Sequence, residues 1–569
     1  MPVNTLHTPI EMRLLATLIA AILASGCSGG GSSSSSAAAT AAEVPADGAA
    51  TIADAPASSA ATEVPSTEQA AVAAAAVIVP AAPASGATPE IGAALAPAAT
   101  MQPASATTST IAAACPPDAY GSFDRPFAAG SPWNSRPVAP VLGSTVVPKS
   151  LYFPAVASGT YASVAFEAKA TDGPMVVTST KTSGVWDPDS EVYRPSITIP
   201  HWPTGVIPAT GLDGHAEIVD TAMGVVHSFW QLKQVEGAWK ATQYAWTPLA
   251  GRGMGDPSHY FQGARAAGVS TLGGLMRKSE VEDGRALYKH ALAMSLTNNG
   301  LSRSPAYNFP ATSADSDAAT VNTGPIPMGS RLMLPASFNA QALATPELRK
   351  VAETLKTYGA FVVDRNYGTP FVIYVEIGAN FKLHKNGWSN ATANDLDVIR
   401  AALRPLQSAA SWLDGNDKPT AIANNSSLNL LSMRGYWYRS KGTQSGTFDT
   451  WKQALVFPAT TTPIEQSNTG GRAYAGVVWS TPTAGESYRL SVSATGGAML
   501  RVKIVDKTTG TVVLYDSGDM SNAQTADFAW PIGPFKILTY AKSGIGGVES
   551  TVSAQLVKNG APVAAQCGV

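Results

Sequence analysis

The chain has 569 residues, of which only 14% are charged, and this length allows more than one domain. The formal net charge is −2, but the second half is basic, because residues 301–569 hold 23 Lys and Arg against 18 Asp and Glu. Such a half can associate with an acidic polymer, although ordinary scatter of charge gives a similar excess. No strongly basic stripe is present, so we expect no nucleic-acid partner.

The N-terminus predicts export of the protein. An apolar run at residues 14–24 is too short to span a bilayer and fits a signal peptide, whether translation starts at Met1 or at Met12. The small residues before Cys27 resemble the lipobox of bacterial lipoproteins. We therefore expect residues 1–26 to be a lipoprotein-type signal peptide and Cys27 to carry a lipid that anchors the protein in the bacterial outer membrane. A plain secretory signal, which would release the protein outside the cell, is the alternative.

Residues 27–114 have the composition of a disordered tether. After the cysteine the segment consists of Ala, Ser, Thr, Pro and Gly with scattered acidic residues, and it has neither a basic nor an aromatic residue. Such a sequence cannot bury enough apolar surface to offset the entropy lost on ordering the chain. We expect this segment to hold the folded part away from the membrane.

The chain has three cysteines, and two of them lie at the ends of the predicted folded part. With Cys27 assigned to the lipid, Cys115 and Cys567 remain. In an exported protein such a pair can form a disulfide, which would tie the start of the first domain to the end of the last. Two free thiols are the alternative.

Two β-rich domains are predicted after the tether. Residues 115–415 contain short, often alternating runs separated by Gly, Pro, Asp and Asn, a pattern typical of a large, jelly-roll-like β-sandwich with a few helices. Residues 418–569 read as a smaller antiparallel β-sandwich. A sandwich suits a binding module but implies no function by itself.

Two helices are predicted within the first domain. The first begins after an N-cap-type residue, Thr345, and stops at Gly359. The second carries apolar residues at Leu396 and Ile399 and is broken by Pro405.

The stretch GLDGHAEIVD, residues 211–220, contains the first candidate site. If it forms a strand, Asp213, His215 and Glu217 share one face, because side chains alternate along a strand. Two carboxylates and an imidazole can perform general acid–base chemistry on a polysaccharide, with Trp230 as a sugar-stacking platform. The alternative is that Asp213 and the following glycine form a turn and that His215 is a hydrogen-bonded residue of the sheet.

The same stretch reads as the first arm of a hairpin. The parity of the turn decides whether His215 lies beside Gln231 or beside Trp230, and the sequence allows both registers. The three candidate residues would span about 13 Å of strand, too far to meet one ion, so we expect no metal. We also expect no cofactor, because the sequence has no phosphate-binding or hydrolase signature motif.

Gln231 and His290 complete the candidate substrate-binding residues. His290 lies in an apolar alternating segment, ALYKHALAMSL, where the imidazole either contacts substrate or is a satisfied residue of the core.

Several short motifs together resemble an uncharacterised family of secreted bacterial proteins. They are SPWN (131–134), DGHAEIVD with FWQ (213–231), GGLMRKSEV (273–281), KHAL (289–292), PMGSRLML (327–334) and TLKTYGAFVVD (354–364). The resemblance covers residues 120–415 and implies no settled activity. The layout of the whole chain is similar to that of an exopolysaccharide-associated member, which is made as a membrane-associated precursor and releases a basic C-terminal part.

We therefore expect an exported surface or secreted protein whose partners are an acidic extracellular polysaccharide and, through the lipid, a membrane. Catalysis is not required by any motif. A polysaccharide lyase or glycoside hydrolase that uses Asp213, His215 and Glu217 is the alternative.

Overall fold

The computed structural model describes residues 119–256, 259–424, 427, 429–439, 444–468 and 482–561. The predicted signal peptide, the lipid at Cys27, the tether and the proposed pairing of Cys115 with Cys567 lie outside the described residues and stay predictions. Within the described part the chain has 28 strands and four α-helices. The chain is mainly β and rich in β-sandwich structure, which confirms the predicted fold class.

The strands of the first part are β1 (Arg136–Leu142), β2 (Ala155–Ala157), β3 (Ala165–Ala168), β4 (Met175–Thr178), β5 (Val185–Asp187), β6 (Val192–Arg194), β7 (Ser196–Ile199), β8 (Ala216–Asp220), β9 (Val225–Trp230), β10 (Lys233–Val235), β11 (Ala238–Lys240), β12 (Gln243–Pro248), β13 (Leu292–Thr297), β14 (Arg331–Met333), β15 (Ala360–Asn366), β16 (Phe371–Tyr374), β17 (Arg404–Leu413) and β18 (Pro419–Thr420).

These strands form three sheets. One has eight strands in the order β1-β17-β14-β15-β13-β16-β2, with β18 paired to β17. A second has six strands in the order β3-β8-β9-β12-β5-β6, and a third has four in the order β10-β11-β4-β7. Parallel pairs, such as β13 with β15 and β3 with β8, occur beside antiparallel ones. Because β18 ends at Thr420, the first sheet system extends beyond residue 415, where the sequence placed its end.

The helices are α1 (Lys278–Val281), α2 (Ala318–Val321), α3 (Pro346–Thr357) and α4 (Asn390–Ala402), with a 3-10 turn at Ala340–Ala342. No helix in this part of the chain is long and apolar enough to cross a membrane. Thr345 is the N-cap of α3, and Gly359 has a φ of +71° just after the helix, so the predicted start and stop are confirmed.

The two long helices pack on the eight-stranded sheet. Leu348 and Leu355 of α3 and Leu396 and Ile399 of α4 belong to one buried cluster with the residues of β13 and β15. These positions are three to four residues apart, or a multiple of that spacing, which places side chains on one face of a helix. The amphipathic pattern therefore accounts for the docking of both helices.

The six-stranded sheet is covered on both faces, which explains why every residue of β8 and β9 is buried. Ile218 and Phe229 pack with Ile199 and Trp239 of the four-stranded sheet. On the other face, Val219 packs with buried residues of neighbouring loops. A sheet buried on both faces loses the simple alternation of apolar and polar residues.

The strands of the second part are β19 (Tyr436–Tyr438), β20 (Gln444–Asp449), β21 (Ala454–Phe457), β22 (Glu465–Asn468), β23 (Ser487–Thr495), β24 (Met499–Asp506), β25 (Val513–Asp516), β26 (Thr525–Ala529), β27 (Phe535–Lys542) and β28 (Ser550–Lys558).

All neighbouring strands of the second part pair antiparallel, in the order β25-β24-β27-β22-β19-β20-β21-β28-β23-β26. Alternate residues of β23 and β24, including Leu490, Val492, Leu500 and Val502, meet in one core. This is the period-2 burial expected of an antiparallel sandwich.

The two parts share a polar and aromatic contact surface. Trp246 stacks on Trp451 with ring centroids 5.1 Å apart, and its Nε1 donates to Oγ1 of Thr450 at 2.8 Å. The hydroxyl of Thr450 donates to Oδ2 of Asp189 at 2.9 Å, while Nε of Arg434 donates to the Asp189 carbonyl oxygen at 2.6 Å. Hydrogen bonds therefore link the two parts through Trp246, Thr450, Asp189 and Arg434.

We predict that Arg434→Ala weakens the folded state. Arg434 is buried, and its guanidinium bonds the carbonyl oxygens of Pro188 and Asp189 and pairs with Glu191. Losing a buried charged partner leaves these acceptors unsatisfied, so the free energy of unfolding should fall by about 3 kcal/mol in urea denaturation.

The matched control is Arg489→Ala, which removes an exposed pair with Asp527 on the sandwich surface. This control should leave the denaturation midpoint nearly unchanged, because exposed pairs contribute little. Equal losses in the two variants would contradict the role given to Arg434.

Candidate functional site

The hairpin whose first arm was expected at residues 211–220 is present. Its first strand starts too late, however, for Asp213, His215 and Glu217 to share one strand face. β8 begins at Ala216, so of Asp213, His215 and Glu217 only Glu217 lies within the strand. Gly214 has a φ of +48°, which favours glycine, and forms the turn. The three residues therefore do not share one strand face, and the alternative of a turn before the strand describes the structure.

The register of the hairpin decides which residue lies beside His215. Glu217 lies opposite Ser228 in β9, and the same register places His215 beside Trp230 rather than Gln231. Gln231 itself has a φ of +57° at the end of β9 and accepts a hydrogen bond from the Thr242 hydroxyl at 2.6 Å.

Glu217 is fully buried and binds groups of the protein itself. Its carboxylate accepts hydrogen bonds from Oγ of Ser228 at 2.6 Å and from the backbone N and Oγ1 of Thr271 at 2.8 and 2.6 Å. Burial raises the pKa of this carboxyl, although these hydrogen bonds act in the opposite direction. Glu217 therefore ties the loop around Thr271 to β8.

His215 is also enclosed. The side chain is buried, and its Nδ1 lies 3.3 Å from the carbonyl oxygen of Phe229. Burial, assisted by the nearby Arg265 guanidinium, lowers the pKa of His215 to about 4. The imidazole is therefore neutral near pH 7 and acts as an internal hydrogen-bonding group.

The expected sugar platform is not open to solvent. Trp230 is only 9% exposed, and its indole Nε1 donates to Oδ1 of Asp213 at 3.1 Å. His215 and Glu217 are also buried, so none of these three side chains is open to a polymer, while Asp213 is half-buried. The hairpin instead contributes hydrogen bonds that hold the fold.

His290 is different, because it faces a pocket. Its Nε2 lies 3.0 Å from Oε2 of Glu280, and its Nδ1 lies 2.9 Å from the carbonyl oxygen of Ala291. Both ring nitrogens thus face acceptors, which suits the doubly protonated imidazolium. Burial alone would lower the pKa of His290, but the Glu280 carboxylate and the two hydrogen bonds raise it above its ordinary value.

Glu280 is positioned by the start of α1. Its Oε2 also accepts a hydrogen bond from the backbone N of Arg277 at 3.0 Å. Arg277 is buried, and its Nε donates to Oε2 of Glu376 at 3.0 Å while its Nη1 donates to the carbonyl oxygen of Phe123 at 2.5 Å. Burial raises the pKa of Glu280, but the charged neighbours and hydrogen bonds lower it below its ordinary value overall.

The pocket around His290 is small, with a cavity volume of about 30 Å³, and it opens to solvent. It is lined by Tyr120, Asp124, Arg125, Pro126, Phe127, Trp133, Asn134, Leu272, Gly274, Leu275, Arg277, Glu280, Arg285, Lys289 and His290. Four Lys and Arg residues and two acidic residues line it. Two of these cations are paired within the protein, Arg277 with Glu376 and Arg285 with Asp283. The cations outnumber the acidic residues in the lining, which favours an anion over a cation.

The candidate residues therefore separate into two groups. His290 lines the pocket, whereas Asp213, His215, Glu217, Trp230 and Gln231 do not. No group of three or more His, Cys, Asp or Glu residues suited to a metal ion occurs within the described ranges. The pocket has the chemistry of an anion-binding site.

We predict that His215 makes the fold sensitive to acid. Its pKa is about 4 in the folded state, against 6.5 for an unperturbed histidine, so its contribution is complete above pH 6.5 and is lost as the pH falls toward 4. The shift corresponds to roughly 3 kcal/mol. His215→Asn, which cannot be protonated, should show a smaller drop in melting temperature between pH 7.5 and 4.5.

His384→Asn, on a half-buried histidine before α4, is the control for loss of an imidazole in general. The assignment is refuted if the parent protein and His215→Asn lose the same stability over this pH range.

No family model and no curated protein matches the chain. Parts of the chain are similar to a glycosylation-associated protein complex from Streptococcus agalactiae, with 10% identity and a TM-score of 0.16 over 22% of this chain and 45% of that one. They are also similar to the accessory secretory proteins 1, 2 and 3 of Streptococcus pneumoniae, with 13% identity and a TM-score of 0.16 over 24% of this chain and 100% of that one. A third similar structure holds the carbohydrate-binding and catalytic modules of a Clostridium thermocellum xylanase with xylohexaose, with 14% identity and a TM-score of 0.13 over 25% of this chain and 28% of that one. The match thus spans less than half of the first of these chains. At these TM-scores the likenesses carry no argument about function.

Proposed function

We propose that this is an exported protein that binds an acidic extracellular polysaccharide in the pocket around His290, without cleaving it. The observation that supports this function is the cationic rim, in which Arg125, Arg285 and Lys289 line the same pocket as His290. A uronic acid or another acidic sugar presents its carboxylate to these cations, while its ring stays outside the small cavity.

The exposed cations are suited to the first contact with a polymer. Lys289 and Arg285 are both exposed, so they attract an anionic chain without a large desolvation cost. Charge-assisted hydrogen bonds to carboxylate are stronger than neutral ones, which favours acidic over neutral glycans. Because such contacts are screened by salt, affinity should fall as ionic strength rises.

Binding without cleavage agrees with the state of the ionisable groups. A general base needs a free acceptor, but both ring nitrogens of His290 face oxygen acceptors. Glu280 is held by that imidazole and by the backbone N of Arg277. His290 and Glu280 are therefore bound to each other and to backbone groups rather than free to remove a proton.

Attachment through a lipid at Cys27 and release of a basic C-terminal part stay proposals. A cut near residue 300 would fall just after β13, where Leu301 is fully buried. Release at that point would therefore require local unfolding, because a protease needs an exposed segment. Mass spectrometry of the mature protein from membrane and medium would report both lipidation and cleavage.

We predict that Lys289→Ala and Arg285→Ala together weaken binding to polygalacturonate about tenfold at low salt. Each exposed contact contributes up to about 1 kcal/mol, and about 1.4 kcal/mol corresponds to a tenfold change in affinity. Isothermal titration calorimetry across a salt series measures the dissociation constant and its salt dependence.

The control is Lys507→Ala, which removes an exposed lysine on the sandwich and should leave the affinity unchanged. The proposed function fails if the parent protein does not bind polygalacturonate even at low salt. It also fails if the parent binds neutral dextran equally well.

A product assay separates this function from that of a polysaccharide lyase or glycoside hydrolase. We expect no new reducing ends and no unsaturated sugar when the protein is incubated with polygalacturonate. If products do form, His215→Ala identifies the source: activity lost with the fold intact would restore the catalytic assignment of Asp213, His215 and Glu217.

A further inference from the structure

A cluster of exposed aromatic rings lies on the loops that precede α4 and β2. Trp388 is 63% exposed, Tyr152 56% and Phe153 46%. The ring centroids of Phe153 and Trp388 are 5.6 Å apart. We call these three residues the ring cluster. Exposed aromatic residues gathered in one place indicate an interaction surface more strongly than scattered ones do.

The indole of Trp388 is held in a fixed position. Its Nε1 donates to Oδ1 of Asn390 at 2.8 Å, and the imidazole of His384 stacks on it with centroids 4.7 Å apart and planes 10° apart. His384 is itself fixed, because its Nδ1 accepts a hydrogen bond from the backbone N of Ser389 at 3.0 Å. A ring that is already ordered loses little conformational entropy when a ligand binds.

Tyr152 lies over the backbone of Gly368. The backbone N of Tyr152 donates to the carbonyl oxygen of Gly368 at 2.9 Å, and a Cβ at that glycine would lie 2.8 Å from the Tyr152 ring. The glycine also has a φ of +70°, so both the close approach and the backbone conformation favour glycine. The position of the Tyr152 ring is therefore set by the neighbouring loop.

Lysines surround the ring cluster. Lys382 and Lys385 lie exposed in the same loop as the indole, and Lys149 lies just before the tyrosine. The nearby carboxylates are each paired, with Lys149 Nζ 3.3 Å from Asp397 and Lys385 Nζ 2.5 Å from Glu347. Both of these ion pairs are internal to the protein, so the exposed Lys382 adds the positive charge that complements an anionic ligand.

The ring cluster and the pocket belong to neighbouring surfaces. Helix α3 contacts both surfaces. Its Glu347 pairs with Lys385 in the loop of the ring cluster. One turn later, Nζ of Lys350 donates to Oδ1 of Asp283 at 2.5 Å, beside the pocket. In addition, Nδ2 of Asn380 donates to Oε1 of Glu282 at 2.7 Å. These contacts place the loop of the ring cluster against the segment that follows Glu280 of the pocket.

We propose that the ring cluster is a second glycan subsite, which stacks on sugar rings of the same acidic chain whose carboxylates occupy the pocket. The proposal rests on the proposed function. Pyranose rings present C–H groups on their faces, and these groups pack on the electron-rich faces of aromatic rings. Lys382, exposed in the loop that carries Trp388, supplies a cation for the acid groups of the same chain. A lipid surface would favour a continuous apolar patch, whereas here the rings alternate with lysine and asparagine side chains.

The test uses the full chain and compares Trp388→Ala, Trp388→Phe and Lys289→Ala by titration calorimetry. The probes are polygalacturonate, a long acidic chain, and the short oligomer trigalacturonate. Trp388→Ala should weaken polygalacturonate binding about tenfold and leave trigalacturonate binding unchanged, while Trp388→Phe retains most of the affinity. Tyr438→Ala, on an exposed aromatic residue of the sandwich, is the control and should bind as the parent does.

The salt series distinguishes the two sites. Lys289→Ala should reduce the salt dependence of binding, because it removes a charge contact, whereas Trp388→Ala should leave that dependence unchanged. If the parent binds neither probe, both proposals fail. If Lys289→Ala weakens binding but Trp388→Ala does not, only the second subsite fails. Binding to phosphatidylglycerol vesicles that is lost in Trp388→Ala, with glycan binding unchanged, would also overturn the subsite. Thermal melting of Trp388→Ala and Trp388→Phe verifies that both variants fold.

Discussion

The buried ion pair between Arg277 and Glu376 is the interaction on which the pocket depends. Removing two charges from water is costly, so the pair is tolerated only when further hydrogen bonds complete it. Oε2 of Glu376 accepts from both Nε of Arg277 and the backbone N of Lys278, and Nη1 of Arg277 reaches the carbonyl oxygen of Phe123. These bonds join three distant segments and set where α1 begins. The start of α1 in turn places Glu280 beside His290.

The cost of removing a charge from water also distinguishes the structural ionisable groups of the first part from the exposed ones. Glu217 and His215 are enclosed and have partners within the protein, so they hold neighbouring loops and strands together. Lys289 remains in solvent, where its charge is available to a ligand, and the exposed Arg285 pairs with Asp283. The hairpin of β8 and β9, whose regularly spaced ionisable residues suggested a site, therefore has a structural role. The pocket lies where the charged residues are less regularly spaced along the sequence.

Aromatic residues divide in a similar way. Trp246 and Trp451 stack between the two parts, and Trp230 is buried against the turn that contains Asp213. Trp388 is instead ordered by its neighbours and remains exposed. The sequence favoured Trp230 as the platform because it lies on the second arm of the candidate hairpin. Exposure depends on which faces of a sheet are covered, and proximity along the chain does not report it.

The sequence by itself determined the mainly β character and the limits of α3, because alternation, N-caps and helix-stopping glycines are local properties. It also singled out His290 as a candidate. Only the tertiary structure decided that residues 120–134 and 272–290 line one pocket, that β3 and β8 pair in parallel, and that Glu217 is enclosed. Such features depend on contacts between distant segments, and the spacing of residues within one segment contains no information about what another segment will cover.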